Sequence, residues 1–129
     1  AVASFTGDIY QTPPMVSALK KDGVPLYKLA RKGEVVERQP RLVHVYRFQI
    51  VEFGIPDCRI EVKCTKGTYV RTLCHDVGEK LGCGGHLASL RRTQSGVFNV
   101  DRAIRFEDLK TLPRADLARH VLPLHEALR

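Results

Sequence analysis

The stretch Cys64-Thr65-Lys66-Gly67-Thr68-Tyr69-Val70-Arg71-Thr72 joins an alternating strand to an amphipathic helix, and its reading decides the fold. Before it, Ile60, Val62 and Cys64 alternate with Arg59, Glu61 and Lys63, the period of two expected of a strand with one apolar face. After it, Val70, Leu73, Cys74, Val77 and Leu81 recur at spacings of three and four. That stripe predicts a helix over 68–81, closed by Gly82 as its C-terminal cap. The Lys66-Gly67 corner turns one element into the other. Backbone N–H groups at a helix N-terminus lack intrahelical partners and favour anions. Arg71, in the first turn, opposes the helix dipole by about 0.3–1 kcal/mol. A compensating carboxylate or phosphate is therefore expected beside it.

Working outward, residues 42–53 read as the partner strand, with Tyr46, Phe48 and Ile50 on one face and Arg47 and Gln49 on the other. Gly54-Ile55-Pro56-Asp57 makes the turn between them. Upstream, residues 1–14 read as an extended arrival ending in Pro13-Pro14, and Met15 to Lys20 as a short strand turning at Lys21-Asp22-Gly23. After Pro25, the helical face of Leu26, Leu29 and Ala30 runs to a stop at Gly33. Downstream, Gly82-Cys83-Gly84-Gly85 is a tight turn, and His86 to Thr93 reads as a further strand carrying Leu90. A short helix around Phe106 to Leu109 precedes a charged tail. This order predicts an α+β fold, a mixed, mainly antiparallel sheet with packed helices, rather than a doubly wound one.

The chain has 129 residues, 43% of them hydrophobic and 27% charged, which excludes global disorder and gives enough chain for a core. No apolar run reaches the length of a membrane span, and no secretory signal opens the sequence. Lys plus Arg number 21 against 14 Asp plus Glu, so the net charge of +7 fits a polyanionic partner such as nucleic acid. Cys58, Cys64, Cys74 and Cys83 form neither a C-x-x-C pair nor a zinc-finger spacing. They read as reduced, mostly buried thiols of a cytoplasmic protein.

Several chemistries lack their motif. The glycine turn after the helix has no Lys-Ser/Thr and is not a Walker loop; no G-x-S-x-G elbow occurs. No pair of carboxylates stands out as acid and base, and Asp76 and Glu79 read as solvated on the outer helix face. The remaining candidates are cationic. Lys66, Arg71, Arg91 and Arg92 surround the predicted sheet end, where they are placed to neutralise phosphate oxygens, and Lys20, Lys21, Arg31 and Lys32 form a second basic group. Tyr69 is placed either to pack over a nucleobase or to join the core.

Two segments resemble one known family. Gln11-Thr12-Pro13-Pro14-Met15-Val16-Ser17-Ala18-Leu19-Lys20, with Gly23, Tyr27, Ala30, Arg31 and Gly33, is similar to the middle of the bacterial tRNA pseudouridine-55 synthases, the TruB type. Cys64 to Leu73 resembles that family's Cys-Ser-Lys-Gly-Thr-Tyr-Ile-Arg-Thr motif. Asp76, Gly78, Leu81-Gly82-Cys83-Gly84, His86-Leu87, Leu90-Arg91-Arg92-Thr93, Ser95-Gly96 and Phe98 follow the same pattern in order, so the resemblance covers roughly residues 4–108.

The resemblance implies an isomerase that converts uridine to pseudouridine in the T-arm of tRNA, with no metal and no cofactor, on a base flipped out of its loop. It implies that Arg71 pairs with a nucleophilic aspartate and that Tyr69 lines the target-nucleotide pocket. Leu90 would form the apolar wall of that pocket, Lys20 and the Gln11 to Ser17 segment its approach, and Lys66, Arg91 and Arg92 tRNA-backbone contacts. Val16 stands where the family commonly has Tyr.

The family's Gly-x-Leu-Asp-Pro-type motif and its upstream Tyr do not occur in these 129 residues, and none of Asp8, Asp22, Asp57, Asp76, Asp101, Asp108 or Asp116 lies in that context. Residues 1–108 are accordingly expected to be the C-terminal portion of a catalytic domain and 109–129 its run-out helix or tail. The expected partners are tRNA, the N-terminal half of the same domain and, through uncovered sheet edges, a second copy of the chain. The isolated chain is expected to be inactive. Two rival readings are a guide-RNA-directed synthase of archaeal or eukaryotic type and a non-catalytic RNA-binding module.

Overall fold

The computed structural model describes residues 1–128; Arg129, the last residue of the expected tail, lies outside the described residues. The chain divides into two compact units, Ala1–Ala88 and Ser89–Arg129.

The first unit is built on a three-stranded antiparallel sheet of β1 (Gly7–Gln11), β4 (Arg41–Phe53) and β5 (Cys58–Cys64), in the order β1-β4-β5. A two-stranded hairpin, β2 (Lys20–Lys21) and β3 (Val24–Pro25), leads into the short helix α1 (Leu26–Arg31). The helix α2 (Val70–Leu81) follows the Lys-Gly corner and packs on the sheet through Leu73, which with Val45 and Phe48 forms the buried core. Ile9, Ile60, Val62, Cys64 and Val77 pack around those three side chains. Complete burial of one such side chain stabilises by about 1.5–3 kcal/mol.

The corner itself is a tight turn. Thr68 N–H donates to Thr65 O, and Gly67 takes φ +83, the value required at the third position of a type II turn. Thr65 N–H donates to His44 O at 2.9 Å and His44 N–H donates to Thr65 Oγ1 at 3.0 Å, so β4 pins the turn from outside. Tyr69, the residue before the helix, is extended, and the helix begins at Val70 rather than at Thr68. Gly82 caps it in the left-handed region, as its position predicts. The chain then folds back so closely that Gly84 and Gly85 touch the backbone of α2 at Gly78.

Four local expectations are corrected. The extended arrival contains a 3-10 turn, Val2–Phe5. Met15 to Lys20 is not a strand: Ser17 N–H donates to Met15 O and Tyr27 N–H to Ser17 O, which bends the segment onto α1 and leaves only Lys20–Lys21 paired. In β4, Tyr46 is an extra residue between the pairs Val45↔Cys64 and Arg47↔Lys63. This bulge reverses the alternation, so Val43, Val45 and Phe48 face the core while Tyr46, 56% exposed, meets the His44 ring at a tilt of 59° with centroids 4.7 Å apart. Ile50, expected beside Phe48, is 48% exposed.

The fourth correction lies at and beyond the unit boundary. Residues 84–93 form no strand. The second unit instead has the hairpin β6 (Gln94–Ser95) and β7 (Phe98–Asn99), turned at Gly96 with φ +57, where Val100 N–H donates to Thr93 O. Three short helices follow, α3 (Phe106–Thr111), α4 (Arg114–Leu117) and α5 (Leu124–Ala127). The first matches the expected helix around Phe106 to Leu109, and the other two lie within the expected charged run-out. The fold is thus α+β with every strand pair antiparallel among the described residues. No helix of the described residues is long and apolar enough to cross a membrane.

The thiols are less buried than expected. All four are free; Cys58 and Cys83 are exposed, and Cys64 and Cys74 half-buried. Burial first, then the nearby Cys58, pushes the Cys74 thiol above its ordinary pKa. Asp76 also departs from the expected solvated state, because it is half-buried on α2. Burial raises its carboxyl above the usual range, His75 lowers it and Glu79 raises it further. A carboxyl whose pKa is raised by folding binds more protons when folded. Stability therefore declines as pH rises from the ordinary carboxylate range through the raised value. Asp76→Asn is expected to remove that decline: thermal melts should match the parent in acid and exceed it near neutrality. Parallel melting curves across this range would contradict the assignment.

Candidate functional site

Alternation along β1 ends with Gln11 pointing inward, almost wholly buried. An amide in that position requires partners, and it finds both on one residue 58 positions away. Gln11 Nε2 donates to Tyr69 O at 3.1 Å, and Tyr69 N–H donates to Gln11 Oε1 at 2.9 Å. This reciprocal pair anchors the N-cap of α2 to the sheet, and so fixes where the first helical turn begins. Gln11→Leu leaves the Tyr69 N–H without a partner and is expected to destabilise the chain by about 1–3 kcal/mol. Chemical denaturation checks this, and an unchanged midpoint would show that the pair holds nothing in place.

Beyond that anchor lies an open cleft of about 590 Å³ lined by Val16, Ser17, Tyr27, Arg31, Tyr69 and Arg71, among others. Three segments build it: the bend after Pro13-Pro14, the helix α1 and the start of α2. Arg71 is exposed on its solvent side, and its Nη2 donates to Val16 O at 2.7 Å, which holds the guanidinium across the cleft. Among the described residues no carboxylate pairs with Arg71. The first turn of α2 contains no acidic residue, and its N-cap side chain makes no capping bond. The uncapped N–H groups and the guanidinium together make this end of the cleft receptive to an anion.

Of the expected site residues, Arg71 and Tyr69 come together at the cleft. Lys20, in β2, and Lys66, at the corner, are exposed and do not line it. Leu90, Arg91 and Arg92 fall in the second unit, exposed and in irregular backbone. Sequence reasoning missed the anchoring role of Gln11 and the cleft positions of Tyr27 and Arg31, whereas Ser17 belongs to the segment expected at the approach to the pocket. The signal for Gln11 was available, since it is a polar residue at an inward position of an alternating strand. The spacing of four between Tyr27 and Arg31 was the signal for the other pair, whose guanidinium and ring stack at 5.5 Å.

The family model described as TruB family pseudouridylate synthase (N terminal domain) matches residues 1–70. The chain belongs to the TruB pseudouridylate synthase family. A second model, the tRNA pseudouridylate synthase B C-terminal domain, matches residues 71–129, so the two meet between Val70 and Arg71.

The tRNA pseudouridine synthase B of Opitutus terrae is 50% identical over 127 residues, which cover 98% of this chain and 53% of that protein. Its counterpart in Geobacter sulfurreducens is 56% identical over 114 residues, covering 88% of this chain and 38% of the relative. The chain thus spans about half the length, or less, of these TruB relatives. Among solved structures, a chain of a Cbf5-Nop10-Gar1 complex aligns with a TM-score of 0.64 and 34% identity, over 82% of this chain and 27% of that one.

Proposed function

We propose that this chain is the part of a tRNA pseudouridine synthase that receives the target uridine in the T-arm, at position 55. In that reaction the glycosidic bond breaks, the base rotates, and it rejoins the ribose through carbon. Arg71 is the positioning residue: it pairs with a nucleophilic carboxylate supplied from outside residues 1–129 and keeps it ionised and aimed. Tyr69 packs against the flipped base. The single observation that carries the reading is the guanidinium of Arg71, held across a cleft by Val16 O and without a carboxylate partner among the described residues.

The other assignments are proposals on the same footing. Leu90 offers an apolar contact to the substrate RNA, and Lys20, Lys66, Arg91 and Arg92 contact the tRNA backbone. Residues 1–108 act as the C-terminal portion of the catalytic domain, residues 109–129 as its tail, and the enzyme works in the cytoplasm. β1 and β5 are the outer strands of their sheet, which supports association with the preceding half of the domain or, in isolation, with a second copy. A compact monomer in concentrated sedimentation runs would contradict self-association.

The reading predicts that the purified 129-residue chain forms no pseudouridine on a T-arm stem-loop. Tritium release from 5-tritiated uridine measures this directly, and release above background would overturn the claim that the nucleophile lies elsewhere.

A further inference from the structure

We infer that Arg31 is a second anion clamp in the cleft and that it takes a phosphodiester of the RNA strand carrying the target nucleotide. The inference rests on the proposed reading of the site and adds a residue and a ligand group to it.

The charged lining of the cleft consists of Arg31 and Arg71, with no carboxylate between them. The two guanidinia are held differently. Arg71 is tethered to a backbone carbonyl at a helix N-terminus, where its charge opposes the dipole. Arg31 occupies the last turn of α1, where a cation is favoured by the dipole and needs no anion for the helix's sake. No carboxylate pairs with it among the described residues. Its guanidinium lies 5.5 Å from the centroid of the Tyr27 ring, one helical turn earlier on the same face.

Stacking of this kind orders the side chain while leaving the edge of the fork, with its N–H donors, open for a bidentate acceptor. One carboxylate at Arg71 leaves the charge of Arg31 uncompensated. The anion that recurs along an RNA strand is the phosphodiester, and a fork of N–H donors matches its oxygens. Arg31 therefore sets the position of the strand while Arg71 serves the chemistry.

The test measures binding of a T-arm stem-loop and of a scrambled hairpin to the 129-residue chain across a salt series, for the parent, Arg31→Ala and Arg31→Lys. Loss of one phosphate contact is expected to weaken Arg31→Ala about tenfold. The slope of log K against log salt should fall by about 0.7–0.9. Arg31→Lys should restore the slope but not the full affinity, because lysine keeps the charge without the fork. The same contact should appear as one methylphosphonate position in the T-arm that weakens the parent and leaves Arg31→Ala unaffected. Circular dichroism confirms that the exposed substitutions leave the fold intact.

If the chain prefers the T-arm yet Arg31→Ala binds it with unchanged slope and affinity, the clamp is overturned and the tRNA reading stands. If both hairpins bind equally, the T-arm preference fails, and the slopes on either RNA still decide the clamp. Absence of binding to both overturns the two together.

Discussion

Replacing Arg71 with methionine in a full-length family member carrying this sequence is expected to lower kcat by about 10²–10³-fold, the scale on which one preorganised electrostatic partner acts. Methionine keeps much of the side-chain volume, and Arg71 is exposed on one side, so folding should survive. Arg71→Lys should remain impaired as well, because a single ammonium cannot hold both the Val16 carbonyl and a carboxylate in the plane of a fork. Single-turnover rates on a T-arm stem-loop separate this effect from binding. A variant that loses affinity but keeps its chemical step would assign Arg71 to RNA binding instead.

The second large effect concerns stability. Gly78→Ala is expected to destabilise the chain by about 3 kcal/mol or more, the upper range for a substitution that forces backbone apart. A Cβ at Gly78 would stand 2.2 Å from Gly84 C and from Gly85 N and 2.5 Å from Gly84 O. All three are backbone atoms, so no side chain can swing aside. The fold-back at Gly82–Gly85 would have to leave α2, together with the bonds from Cys83 N–H and Gly84 N–H to Gly78 O. Urea denaturation with circular dichroism measures the effect. A midpoint like that of the parent would mean that the fold-back is not part of the stable unit.

The corner and the two elements it joins were legible because each depends on local periodicity. Ile60, Val62 and Cys64 alternate without interruption, and Val70, Leu73 and Val77 keep to one helical stripe. Leu81 shares that stripe but lies past the end of the sheet contact, at 62% exposure. The alternation in β4 misled because one inserted residue, Tyr46, reverses every face assignment before it, and a bulge leaves no mark in a pattern of period two.

The stretch from His86 to Thr93 reads as a strand on its apolar and basic residues. What it lacks among the described residues is a neighbouring strand to pair with, and strand partners are not local information. The cleft was half legible. Arg71 announced itself through its conflict with the helix dipole, whereas its hold on Val16 O spans 55 residues. The Gln11–Tyr69 pair spans 58. No window along the chain reveals contacts of that range, although the buried amide of Gln11 demanded one.

The account's central claim is tested most directly by a crystal structure of a full-length family member carrying this sequence. It predicts a carboxylate oxygen from outside residues 1–129 within about 4 Å of the Arg71 guanidinium, facing the same cleft. Arg71 bonded only to Val16 O, with no carboxylate within that distance, would contradict it.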